Sequence, residues 1–92
     1  MPTHNTDIAA AFDELADLLE IKGENPFRIR AYRNAARIVG NLGDELQGKV
    51  DAGDDLTQIA GIGKDLAAKI GQIVITGRIA YLEELRQELP AG

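Results

Sequence analysis

The stretch LTQIAGIGKDLAAKIGQIVI, residues 56–75, decides how this 92-residue chain folds. It places a Gly-Ile-Gly turn between a short apolar segment and a longer one whose apolar residues recur at helical spacing. Because glycine has no Cβ, Gly61 and Gly63 are predicted to turn the chain tightly with positive φ. The amide groups of such a turn, with the N-terminus of the following helix, can face an anion such as a phosphate.

A long helix is predicted near the start of the sequence. Thr6 followed by Asp7 suits an N-cap with an acid in the first turn. Apolar residues then recur every three or four positions, which is typical of a helix that packs on a core. The helix is predicted to end near Lys22, since Gly23 suits the left-handed residue that closes a helix.

Further helices complete the predicted fold. Asn25 caps a second helix with Pro26 at its first position, where the missing N–H has no cost, and Gly40 ends it. Shorter helices are predicted over 44–50, over 56–59, from just after the Gly61–Gly63 turn to near Gly77, and around 81–85. No segment alternates with the two-residue period of a strand. We therefore expect one all-α domain of five or six helices over residues 1–92, with the glycine hairpin at about 55–76.

The composition excludes several classes of function. There is no cysteine, so disulfide scaffolding, thiolate chemistry and zinc binding through sulfur are excluded. No apolar run reaches the roughly 20 residues of a membrane span, and residues 1–15 lack a signal-peptide pattern. We expect a soluble, cytoplasmic, monomeric chain that does not contact a membrane.

The net charge of −5 opposes nucleic-acid binding if it is taken as one number, because phosphate neutralisation dominates DNA affinity. The charge is unevenly distributed, however. Residues 25–43 hold four arginines and no acid, and residues 56–78 carry three basic residues against one acid. The acids are concentrated in 1–24 and 44–55. A local positive surface is therefore expected around the turn and the second helix.

The arginines of the second helix form another candidate site. Arg33 and Arg37 are one turn apart, and Arg28 is one turn from Tyr32, so two exposed ridges could present positive charge. A phenol beside a guanidinium suits a phosphate. The alternative is a solvated face whose arginines pair with acids of neighbouring helices.

The turn and its flanking helices resemble a helix-hairpin-helix, a module that grips nucleic-acid backbone without reading base sequence. The run AYRNAA at residues 31–36, the Thr76–Arg78 ending and the helix order together resemble the N-terminal lyase-type domain of family X DNA polymerases. Polymerase beta has such a domain, and bacterial members look more similar still. The resemblance covers about Ile8 to Leu85.

The resemblance implies a non-sequence-specific DNA-binding domain that acts in base excision repair at gaps, nicks or 5′-phosphates. It also implies covalently linked polymerase domains in a longer parent chain, a nucleotidyltransferase associated with the bacterial nucleoid. A helical protein-interaction module remains a lesser alternative, which the acidic first helix makes possible.

Carried over by position, the resemblance places a Schiff-base lysine at Lys69 and a phosphate-pocket tyrosine at Tyr32, with Arg28 in place of a pocket lysine. Lys69 would then serve a 5′-deoxyribose-phosphate or abasic-site lyase. Further pocket positions, a histidine and basic residues in the family, depart from its pattern and hold Phe27, Asp65, Thr57 and Tyr81.

The chemistry of Lys69 leaves two roles open. A lysine must be neutral to attack a sugar aldehyde, whereas its ordinary pKa is about 10.4. Nearby cations or burial lower that pKa. Asp65 lies one turn before Lys69 and instead favours the protonated amine. Lys69 is therefore either a nucleophile or a lysine that touches backbone phosphate.

The candidate DNA contacts are Gly61, Ile62, Gly63, Lys64, the main-chain amide of Asp65, Arg28, Tyr32 and Arg33. The resemblance also implies a monovalent cation, Na⁺ or K⁺, held by the main-chain carbonyls of Thr57, Ile59 and Ile62. Carbonyl oxygens suit such a hard ion. The domain itself requires no cofactor, and Mg²⁺ would belong to a parent polymerase only.

Overall fold

The computed structural model describes residues 3–89, and all regular structure within them is helical. Five α-helices and one short 3-10 helix follow in the order α1 Asn5–Lys22, α2 Pro26–Gly40, α3 Leu46–Asp51, the 3-10 helix Leu56–Gln58, α4 Lys64–Thr76 and α5 Ala80–Glu88. The predicted all-α class is confirmed. No helix within residues 3–89 is long and apolar enough to cross a membrane.

A single aliphatic core holds the helices together. Ile8, Phe12, Leu15 and Leu19 form one stripe of α1 with no exposed surface. α2 packs along α1, and the Phe12 ring lies 6.0 Å from the ring of Tyr32. The remaining elements contribute a set of buried aliphatic side chains that includes Ala35, Val39, Leu46, Leu56, Ile62, Ile70, Ile73, Leu82 and Leu85. The hairpin is thus anchored in the same core as the two long helices.

Glycine and asparagine residues set several helix ends, as the sequence predicted. Gly23 and Gly77 close α1 and α4 in the left-handed conformation, with φ of 75° and 82°. Asn25 caps α2, since its side chain accepts a 2.8 Å hydrogen bond from the Phe27 amide. α2 ends at Gly40. These boundaries confirm the predictions.

Two predicted helix starts were wrong. α1 begins at Asn5, ahead of the predicted cap Thr6, and α3 begins at Leu46 rather than at Asp44. The Asn5 side chain donates to the Asp44 carbonyl and accepts from the Leu46 amide, both at 2.8 Å. The Asn5 side chain therefore fixes the start of α3 through a contact between distant parts of the sequence. The start of α1 is set locally, because the Asp7 carboxylate accepts a 3.0 Å hydrogen bond from the amide of the N-cap His4.

Candidate nucleic-acid interface

The glycine hairpin joins the 3-10 helix to α4. Asp55 caps the 3-10 helix, because its carboxylate accepts hydrogen bonds from the Thr57 hydroxyl (2.6 Å) and amide (3.0 Å), which lower the pKa of Asp55. The Ile62 amide donates to the Ile59 carbonyl at 3.0 Å and closes the turn. The helix predicted over 56–59 is thus a single 3-10 turn. Ile62 is buried and its amide is paired, which leaves it no free donor.

The two hairpin glycines have different roles. Gly61 has φ of 88°, and a Cβ at this position would overlap the side chain of Ile38 on α2. Gly63 has φ of −84° and ψ of −175°, and nothing lies within 4 Å of where its Cβ would be. The predicted positive φ is confirmed for Gly61 and wrong for Gly63. Gly63 instead leaves open space directly before α4.

The backbone amides around the turn are unpaired. Within residues 3–89, the amides of Gly61, Gly63, Lys64 and Asp65 donate no hydrogen bond, and the first bond of α4 runs from the Ala67 amide to the Gly63 carbonyl. No side chain caps this helix. A helix N-terminus concentrates positive potential from the helix dipole. The main chain can therefore present several N–H groups to one anion.

The charges next to the turn are partly compensated. Lys64 is exposed at the first position of α4 and forms no ion pair among the described residues. The carboxylate of Asp65 accepts a 2.8 Å hydrogen bond from the Lys69 ammonium, as the one-turn spacing predicted. Lys69 therefore neutralises a carboxylate that would otherwise repel a phosphate at the hairpin.

Lys69 is enclosed by two phenol rings. Its amine lies 5.9 Å from the ring centroid of Tyr32 and 5.4 Å from that of Tyr81, and 15% of its side chain is exposed. Burial is the largest single influence and lowers the pKa of Lys69. The hydrogen bond to Asp65 and the phenol of Tyr32 together outweigh it, so this pKa lies above its ordinary value. The resting amine is protonated.

Arg28 reaches the same place from α2. Its guanidinium donates a 2.9 Å hydrogen bond to the Tyr81 hydroxyl, which raises the pKa of Arg28, and it lies 3.6 Å from Glu24. Tyr32 is only 3% exposed, so the predicted exposed ridge of Arg28 and Tyr32 was wrong. The structure nevertheless brings Arg28, Tyr32 and Lys69 together around Tyr81. No short-range sequence signal links Tyr81 to Arg28, since 53 positions separate them.

Arg33 faces α1 instead. Its guanidinium forms ion pairs with Asp17 at 2.7 Å, Glu20 at 3.1 Å and Asp13 at 3.6 Å. The alternative left open by the sequence, pairing with acids of a neighbouring helix, is therefore realised for Arg33. Its contact with DNA stays a prediction, and three carboxylates compete for its charge.

The carbonyl groups predicted to hold a monovalent cation lie along the turn. Those of Thr57 and Ile62 accept no hydrogen bond within residues 3–89, whereas that of Ile59 already accepts the Ile62 amide. A set of neutral oxygen donors fits a weakly held Na⁺ or K⁺. In the same range no group of His, Cys, Asp and Glu side chains suits a metal ion. The cation at the hairpin stays a prediction.

Comparison with known proteins identifies the family. Residues 3–79 match a helix-hairpin-helix domain. The chain is also 32% identical over 89 residues to the Bacillus subtilis (strain 168) protein named DNA polymerase/3′-5′ exonuclease PolX. This alignment covers 97% of the chain but 15% of the length of that relative. The chain therefore belongs to the helix-hairpin-helix domain family, and its resemblance to the N-terminal part of a family X DNA polymerase is confirmed.

Proposed function

We propose that the chain is a DNA-binding domain that grips the sugar-phosphate backbone at gaps or nicks and holds a 5′-phosphate there. The observation that carries the proposal is the set of unpaired amides between Gly61 and Asp65 at the start of α4. The helix-hairpin-helix family and the similarity to a DNA polymerase support DNA binding. Because amides contact phosphate oxygens, which every nucleotide carries, no base preference is expected.

The cations near the hairpin can neutralise only a few phosphates. Lys64 has no carboxylate partner in residues 3–89, whereas Lys69 and Arg28 lie beside Asp65 and Glu24. The net charge of −5 further limits non-specific attraction. If each of these three cations meets one phosphate, the affinity falls about 40-fold between roughly 50 and 200 mM salt. A domain with these charges is expected to bind modestly and with strong salt dependence.

A terminal 5′-phosphate suits the surface where Arg28 and Lys69 meet around Tyr81, beside Tyr32, and we call this surface the phosphate pocket. It carries more negative charge than an internal phosphodiester. Arg28 offers a planar fork of donors, and Lys69 offers an ammonium group. Lys69 is one helical turn from Asp65, whose amide belongs to the hairpin grip. DNA backbone that lies on the hairpin could therefore place its 5′ end beside Lys69.

Fluorescence anisotropy with two gapped duplexes that differ only in a 5′-phosphate or a 5′-hydroxyl tests the proposal. We expect the phosphorylated duplex to bind about tenfold or more tightly, as for hydrogen bonds to a charged group. Arg28→Ala should lose this preference, and Arg37→Ala is its matched control, because Arg37 is an exposed arginine of α2 whose guanidinium contacts Asn34. Equal affinity of the wild type for both duplexes excludes the phosphate pocket, and no binding to either excludes the hairpin grip.

Lyase chemistry at Lys69 is the second candidate function. The observation that favours it is the enclosure of the amine between Tyr32 and Tyr81. A neutral amine would attack the aldehyde carbon of an incised abasic sugar and form a Schiff base with loss of water. β-Elimination would then remove a proton from C2′ and break the C3′–O bond, which leaves a DNA strand with a 5′-phosphate end, and water would hydrolyse the imine to free the unsaturated sugar and Lys69. Asp65 opposes the first step because it holds the amine protonated, so we place binding before catalysis.

Borohydride trapping on pre-incised abasic DNA tests this second function. The wild type is expected to give a covalent adduct that Lys69→Ala does not give, with Lys49→Ala, a lysine of α3 that pairs with Asp44, as the control for a lost lysine. If wild type and Lys69→Ala give the same adduct, or if neither gives one, Lys69 is not the nucleophile.

A further inference from the structure

Tyr81 connects the two cations of the phosphate pocket. Its hydroxyl accepts the 2.9 Å hydrogen bond from Arg28, whose guanidinium carbon lies 5.5 Å from the ring centroid. The Lys69 ammonium lies 5.4 Å from the same centroid. One side chain of α5 therefore contacts a cation of α2 and a cation of α4.

We propose that Tyr81 is a positioning residue of the 5′-phosphate pocket, which holds Arg28 and Lys69 around one anion site. The inference rests on the proposed function, because it specifies how the same pocket binds its phosphate. In the family that the sequence resembles, the position of Tyr81 holds a basic residue, so this chain has one positive charge fewer there. The geometry gives Tyr81 another role, in which its phenol brings a cation from α2 to the amine of α4.

The start of α5 fixes Tyr81 on α4. The Gln72 side-chain oxygen accepts a 2.8 Å hydrogen bond from the Ala80 amide, which is the first amide of α5 and has no partner within its own helix. Tyr81 follows directly and is partly buried. A shallow depression beside it leaves access from solvent and is lined by Ala68, Lys69, Gln72, Ala80 and Tyr81.

The phenol offsets the repulsion between two like charges. The ring attracts an ammonium through its quadrupole, and the hydroxyl oxygen accepts from the guanidinium. Arg and Lys side chains lose much rotamer entropy when they are fixed. Contacts with Tyr81 restrict both side chains before DNA arrives, which lowers the cost of binding. The guanidinium and the ammonium both keep further N–H donors for the phosphate oxygens.

Tyr81→Phe in the 92-residue chain tests the inference. The substitution removes one oxygen and keeps the ring, with its contact to Lys69 and its packing on α4. We expect the affinity for 5′-phosphorylated gapped DNA to fall about three- to tenfold, as for the loss of one hydrogen bond. The affinity for the 5′-hydroxyl duplex is expected to stay the same. The hydroxyl acts through Arg28. The double variant Tyr81→Phe and Arg28→Ala should therefore lose no more affinity for phosphorylated DNA than Arg28→Ala alone.

Thermal melting followed by circular dichroism checks that each variant is folded. Arg28→Lys leaves Tyr81 intact and removes the planar fork, and the same selective loss for phosphorylated DNA is expected. An unchanged phosphate preference in Tyr81→Phe overturns the inference, as do additive losses in the double variant. Equal weakening for both duplexes also overturns it, because it indicates a purely structural role. A wild type without phosphate preference overturns the proposed function itself, and this inference with it.

Discussion

A methyl group at Gly63 is expected to leave the fold intact and to weaken DNA binding. The extended backbone at Gly63 accepts any residue, and open space surrounds its Cβ position. Alanine reduces the entropy of the unfolded chain, which stabilises by about 0.4–1 kcal/mol. Alanine is also a poorer N-cap than glycine by a comparable amount. The two effects nearly cancel, so the free energy of unfolding of Gly63→Ala should change by less than about 0.5 kcal/mol.

Gly61→Ala provides the contrast. An alanine in the left-handed region costs about 1–2 kcal/mol, and its methyl group must also displace the side chain of Ile38. We expect a loss of about 2 kcal/mol, which lowers Tm by about 8–16 °C in a chain of this size.

For DNA binding, Gly63→Ala is expected to have a large effect without loss of stability. In the proposed function, its methyl group lies where a phosphate would approach the unpaired amides of Gly63 and Lys64. Loss of one amide–phosphate hydrogen bond costs about 1.5–3 kcal/mol, or about 10- to 150-fold in affinity. Anisotropy titration with phosphorylated gapped DNA at low salt measures this, beside melting curves. Gly48→Ala is the matched control, because its Cβ also meets open space on α3 and only stability should rise.

Unchanged affinity in a fully folded Gly63→Ala would mean that no phosphate approaches the hairpin amides. A loss of affinity that follows Tm in both glycine variants would also contradict the prediction. In that case binding would depend on the stability of the domain rather than on access to the amides.

Three further predictions concern single interactions. Asp65→Asn removes a carboxylate that raises the pKa of Lys69, so this pKa should fall and borohydride trapping should yield more adduct, and an unchanged yield contradicts the role of the carboxylate. Two hydrogen bonds from Arg86, each 2.6 Å, lower the pKa of Glu14, so the stabilisation they give is present above the ordinary carboxyl pKa of about 4.3 and is lost as pH falls below it. Wild type and Glu14→Gln should differ in unfolding free energy by at most about 1 kcal/mol, because the pair is exposed. This difference should disappear between about pH 5 and pH 3, and a difference that persists at pH 3 contradicts the prediction. Asn5→Ala leaves the Asp44 carbonyl and the Leu46 amide without their hydrogen-bond partner, and the free energy of unfolding in urea should fall by about 2–3 kcal/mol. A loss below about 0.5 kcal/mol means that water replaces the side chain.

Local backbone chemistry explains what the sequence could predict. Gly23 and Gly77 end helices because the left-handed conformation suits glycine, and Asn25 caps the amide of Phe27 two positions later. The pairing of Asp65 with its partner one turn later follows from helical geometry alone. Each of these features depends only on residues within one or two helical turns, so the sequence is enough to predict it.

Contacts between distant segments explain what the sequence could not predict. Asn5 moves the start of α3 from Asp44 to Leu46, because its side chain bonds to both of these residues about 40 positions later. Arg28 of α2 meets Tyr81 only in the folded chain, where α5 packs on α1 and its first amide bonds to Gln72 of α4. Arg33 had two alternatives, and the acids of α1 decide between them. Likewise, two glycines in a turn do not reveal which of them needs positive φ, because this depends on where α4 begins.

The pair formed by Asp65 and Lys69 affects the two candidate functions in opposite directions. By neutralising Asp65, Lys69 lowers the repulsion that a phosphate would meet at the hairpin amides. The same hydrogen bond keeps the amine protonated, which opposes attack on a sugar aldehyde. A 5′-phosphate that enters beside Lys69 adds a second anion and favours the protonated amine further. If the proposed function holds, occupation of the pocket would strengthen the grip on DNA while it withholds the neutral amine, so the pair of Asp65 and Lys69 favours binding over Schiff-base chemistry.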